Sequence, residues 1–111
     1  MLTQRPTLSD IEKARVRTKS IVKKTPILTS EYFNDLLGIE LFFKCENFQK
    51  TGSFKIRGAS NAVFSLTDDE AKQGVACQSS GNHGGAIACA AHLKGIQAAV
   101  SYTHLTLPTT G

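Results

Sequence analysis

Apolar and polar positions divide the chain into short segments of different rhythm. In "TLSDIEKARVRTKSIV" apolar residues are spread among charges, which predicts a helix with Thr7 or Ser9 as N-cap and acids in the first turn. Pro26 ends that region and forces an extended segment. Ser30 then caps a short helix, "EYFNDLL", closed by Gly38. "IELFFKC" is short, apolar and partly aromatic, the pattern of a buried strand. Beyond a loop from Asn47 to Ser53, "FKIRGASNAVFSL" puts Ile56, Ala59, Val63 and Phe64 on one helical face. Thr67 with Glu70 makes a capping box for another short helix, stopped by Gly74.

The next four segments form a series. "VACQ" predicts a strand, and "SSGNHGG" a tight turn with Gly81 at positive φ. "AIACAAHLKG" is an alanine-rich helix closed by Gly95, and "IQAAV" is a second strand. Strand, turn, helix and strand in that order make a βαβ unit, hence a parallel sheet with helices packed on it. Ala86, Ala88, Ala90 and Ala91 would let the helix lie close to the sheet. The expected class is α/β, which places ligands at the C-terminal ends of strands. The last eleven residues, "SYTHLTLPTTG", break the series: Thr-rich, without helical period or cap, they resemble a translated sequencing adapter. Residues 101–111 are therefore expected to be a non-native tail on the front part of a larger protein.

Composition narrows the function classes. The net charge of +4 is spread from Arg5 to Lys94 with acids between, and two Tyr and no Trp are available for base stacking, so nucleic acid is not an expected partner. Cys45, Cys77 and Cys89 are odd in number, widely spaced and without a CxxC, which predicts reduced thiols and neither a disulfide framework nor a zinc site. The polar N-terminus and the lack of a long apolar run predict a cytoplasmic protein that does not span a membrane.

Two stretches could carry chemistry. In "FQKTGSFKIRGA", Lys55 follows Phe54 at a loop-to-helix junction. An isolated lysine there is ordinarily solvated; partial burial would lower its pKa and make it a nucleophile for a carbonyl cofactor. "SSGNHGG" is either a simple βα turn capped by Ser or Asn, or an anion site. In the second case the helix N-terminus, the hydroxyls of Ser79 and Ser80 and the Asn82 amide would bind a carboxylate or small phosphate. The pattern is neither GxGxxG nor a P-loop. His83 alone reads as a turn hydrogen-bonder, His92 as structural, and His104 lies in the tail.

Together, "ENFQKTGSFKIRGA" and the later "SSGNHG" resemble the tryptophan-synthase-β-like class of pyridoxal-phosphate enzymes, which includes serine racemases and the serine and threonine dehydratases. The likeness covers most of Thr25 to Val100. It implies a fragment of a PLP fold-type II enzyme: residues 1–73 from the large domain with the lysine helix, and 74–100 from the start of the small domain. Lys55 matches the lysine that bonds to PLP, Phe54 the aromatic residue against the pyridine face, and Asn82 the partner of the ring's phenolic oxygen. Ser79, Asn82 and His83 match the loop that grips the substrate carboxylate. Ser80 matches the second-face proton donor of the racemases, where many threonine dehydratases have alanine. The implied activity is interconversion of L- and D-serine, with β-elimination to pyruvate and ammonia as a second reaction of a homodimeric parent.

Racemases of this class also take ATP and Mg2+ as activators. Lys50 and Thr51 match nucleotide-contacting positions, whereas Gly85 stands where glutamine is common; no metal ligand is assigned. Three other readings stay open: a threonine, serine or hydroxyaspartate dehydratase; a non-catalytic anion-binding α/β module with a structural Lys55; and a fragment without a function of its own. The chain as given is expected to be inactive and poorly folded.

Overall fold

The computed structural model describes residues 4–102. Helix α1 (Leu8–Thr18) starts at Thr7, whose hydroxyl accepts from the N–H of Asp10 while the Asp10 carboxylate accepts from the N–H of Thr7. It ends before the predicted "KSIV", which forms a turn that carries Ile21 into the core. A two-residue antiparallel ladder pairs β1 (Ile27–Leu28) with β2 (Phe43–Lys44). Between them lies α2 (Glu31–Leu37), opened by Ser30 and closed by Gly38 in the left-handed conformation at φ 66°.

"IELFFKC" is not the buried strand its composition predicts. Only Phe43 and Lys44 are strand, and Phe42 stays 66% exposed. An apolar run reports what a strand could bury, and no described layer covers this one.

Two short 3-10 turns, Glu46–Phe48 and Lys50–Gly52, lead into α3 (Lys55–Phe64). Its buried face is Ile56, Ala59, Ser60 and Val63, with Phe64 half-buried at the edge. Thr67 and Glu70 form the expected capping box of α4 (Asp68–Lys72). Then β3 (Val75–Gln78), α5 (Asn82–Lys94) and β4 (Ala98–Ser101) complete the βαβ unit, with β3 and β4 parallel and Val75 opposite Ala98. Gly95 turns out of α5 at φ 78°.

Helices α3 and α5 pack along each other, and one cluster of Ile21, Ile56, Ala59, Val63, Ala86, Ile87 and Ala90 forms the core. Ala86, Ala90 and Ala91 are buried as expected, while Ala88 points to solvent, because a helix can turn only part of its circumference to its neighbours. Of the tail, Ser101 is the last residue of β4 and pairs with Gln78; positions 103–111, with His104, lie outside the described residues.

Candidate active site

The sequence-predicted residues fall on two helix starts. Lys55 is the first residue of α3, at the loop-to-helix junction, and Asn82 is the first residue of α5. Because α3 and α5 are neighbours and the Lys50–Gly52 turn touches both, the two motifs share one region of the fold.

Around Lys55 the backbone is tightly specified. Gln49 starts the turn by accepting the N–H of Lys50 at 2.9 Å. Thr51 (φ 67°) and Gly52 (φ 80°) follow in the left-handed region, which a β-branched residue rarely enters. The Ser53 hydroxyl then accepts the N–H of Lys55 at 3.3 Å. The Lys55 ammonium stands 5.6 Å from the centroid of the Phe54 ring, itself 61% exposed. Lys55 is exposed, not partly buried, among residues 4–102.

The second motif is helical from Asn82 onward, so the turn is shorter than "SSGNHGG" suggests. Gly81 has φ −147°, not a positive value. The turn is instead organised by Ser79, whose N–H donates to Ser101 O at 2.9 Å, extending the β3–β4 ladder. Its hydroxyl oxygen accepts the N–H groups of Gly81 at 3.2 Å and Gly84 at 2.9 Å, capping α5. Ser80, Asn82 and His83 are exposed, and their side chains make no hydrogen bond to another described residue. Gly84 is required by proximity: a Cβ there would lie 2.9 Å from Val100 Cγ1 and 3.3 Å from Ser79 Cβ.

Sequence reasoning missed a polar group behind the lysine loop. The Glu46 carboxylate receives hydrogen bonds from Thr25 and from Arg57, which hold its pKa at about 2 against an ordinary 4.5, the Arg57 contribution being the largest. The signal lay within "ENFQKTGSFKIR", whose Glu46, Gln49 and Arg57 are polar residues flanking apolar ones.

No group of three or more His, Cys, Asp or Glu side chains is positioned for a metal ion among the described residues. None of their helices is long and apolar enough to cross a membrane.

The sequence pattern described as "Pyridoxal-phosphate dependent enzyme" matches residues 18–109. The chain belongs to this pyridoxal-phosphate-dependent enzyme family. A β-hydroxyaspartate dehydratase of Paracoccus denitrificans is 55% identical over 91 residues, covering 82% of this chain and 29% of that protein. A serine racemase of Dictyostelium discoideum is 53% identical over 88 residues, covering 79% of this chain and 27% of its own length. The crystal structure of serine racemase from that organism superposes with a TM-score of 0.83 at 50% identity, over 86% of this chain and 32% of that one. The chain therefore spans less than a third of the relatives it matches. The PLP fold-type II likeness is borne out by this superposition. The donor set also suits the family's cofactor: an exposed amine for its aldehyde, an aromatic face, and an amide and hydroxyls at a helix start.

Proposed function

We propose that the chain is the N-terminal part of a PLP-dependent serine racemase that also eliminates water from serine to give pyruvate and ammonia. One observation carries the racemase reading. Of the two serines in the turn, Ser79 accepts two backbone N–H groups while the exposed Ser80 hydroxyl makes no such bond.

When bound, PLP supplies an aldehyde for the Lys55 amine and an electron sink that acidifies the α-hydrogen of an amino acid. Once the amino acid's own amine has displaced it, the freed Lys55 amine would take that proton on one face, and Ser80 would donate one on the other, which inverts the centre. Phe54 would offer the cofactor ring an apolar face, and the Asn82 amide would hold its phenolic oxygen. The substrate carboxylate is held by Asn82, His83 and the Ser79 hydroxyl, whose hydrogen is left to donate because its oxygen accepts the cap bonds. Lys50 and Thr51 are the positions for an activating ATP with Mg2+, although Gly85 offers that nucleotide no side-chain amide. The proposed setting is a cytoplasmic homodimer.

Lys55 is tested by treating the chain with pyridoxal phosphate, reducing with borohydride and mapping the adducts. Lys55 should be labelled faster than the exposed Lys72. Labelling no faster than at Lys72 favours the anion-binding module with a structural lysine. In the full-length enzyme, Ser80→Ala should lower D-serine formation by at least about 100-fold while pyruvate formation stays within severalfold. Equal loss of both products overturns the role given to Ser80. The 55% identity to a hydroxyaspartate dehydratase supports the second reading, a dehydratase in which Ser80 racemises nothing. Pyruvate or oxaloacetate formation without any D-amino acid would establish it.

A further inference from the structure

Separate segments of the chain meet just ahead of Lys55, and one carboxylate ties them together. Glu46 accepts the Thr25 hydroxyl and both Nε and Nη2 of Arg57, the latter at 3.1 Å. Three residues on, Gln49 is only 3% exposed and spans to the same neighbouring strand of chain. Its Nε2 donates to Lys23 O at 2.8 Å, and its Oε1 accepts the Lys23 N–H at 2.8 Å. The loop is thus held before its strained turn by Glu46 and Gln49, and after it by Arg57, two residues past Lys55.

That arrangement explains how Thr51 stays at φ 67°. A β-branched residue is kept in the left-handed region only where its surroundings over-determine the backbone. A planar guanidinium gripped through two nitrogens restrains the orientation of the segment that carries it, as well as its distance. The segment here is the first turn of α3.

We infer that Glu46 and Arg57 are positioning residues, their paired side chains setting the direction in which the first turn of α3 presents the Lys55 amine to a carbonyl compound. The inference rests on the assignment of Lys55 as the cofactor amine.

The test uses pyridoxal phosphate as probe, with borohydride reduction and peptide mapping, on the 111-residue chain and its Glu46→Gln and Arg57→Lys variants. The readout is the labelling rate at Lys55 divided by that at Lys72, an exposed lysine on α4. Glu46→Gln should lower this ratio about tenfold. Arg57→Lys, which keeps the charge and loses the fork, should lower it less, with far-UV circular dichroism unchanged in both. A purely structural role would lower the melting temperature and leave the ratio alone, which overturns the inference. If Glu46→Gln does not fold, Arg57→Lys decides by the same ratio. A wild-type chain without preference for Lys55 sinks the assignment of that lysine and this inference with it. A preference that both variants retain sinks the inference alone.

Discussion

Glu46 shows how much one side chain can organise at short range. Its carboxyl is held at about 2 rather than 4.5, chiefly by Arg57. A depressed carboxyl contributes stability that is present in full above pH 4.5 and lost as the pH falls towards 2. Asp10 and Glu70 are also lowered, by their bonds to Thr7 and Thr67, so the acid response of the wild-type chain is composite. The contribution of Glu46 is isolated by comparison with Glu46→Gln. The variant should melt lower than wild type at pH 7, and the gap should close as the pH approaches 2. Melting curves by circular dichroism across that range check this, and a gap independent of pH would contradict it. The sequence marks Glu46 and Arg57 as polar residues among apolar ones but not their pairing, because Thr25, Glu46 and Arg57 are joined by contacts across 21 and 11 residues. Lys55 and Ser80, by contrast, stood out through their own motifs, though the exposure of Lys55 did not.

At the scale of elements, sequence was most informative where the cause is local. Thr7, Ser30 and Thr67 cap their helices, and Gly38, Gly74 and Gly95 end theirs at positive φ, because each position answers to a backbone need a few residues away. Gly81 defied the same reasoning because the Ser79 hydroxyl accepts its N–H and that of Gly84, a side-chain cap that replaces the positive-φ turn. "IELFFKC" failed for another reason: burial depends on what lies opposite, which no local pattern contains. Two glycines make opposite predictions. Gly74 has φ 76°, and a Cβ would lie 2.8 Å from the carbonyl oxygen of Gln97, at the start of the β3–β4 ladder. Gly74→Ala should destabilise by about 1–3 kcal/mol. Gly58 sits inside α3 with open space around a built Cβ, so Gly58→Ala should stabilise by about 0.5–1 kcal/mol. Urea unfolding midpoints for the two variants should move in opposite directions.

For the whole molecule, the core is small and much apolar surface stays outside it. Tyr32, Leu36 and Leu37 on α2, Ile39, and Phe42 beside β2 are each more than half exposed. The chain should therefore enhance the fluorescence of an anilinonaphthalene dye well above that of a compact globular protein of equal mass. Enhancement no greater than for such a control would show that this surface is covered in solution. The βαβ unit also carries a consequence for the order of events during folding. Its parallel strands are four residues each and are separated by the whole of α5. A ladder that short cannot close the intervening loop by its own bonds, whereas helices form within about a microsecond from neighbouring residues. Docking of α5 on α3 is thus expected to come first, the register of β3 with β4 to follow from it, and the Ser79–Ser101 contact that shapes the turn carrying Ser80 to form last.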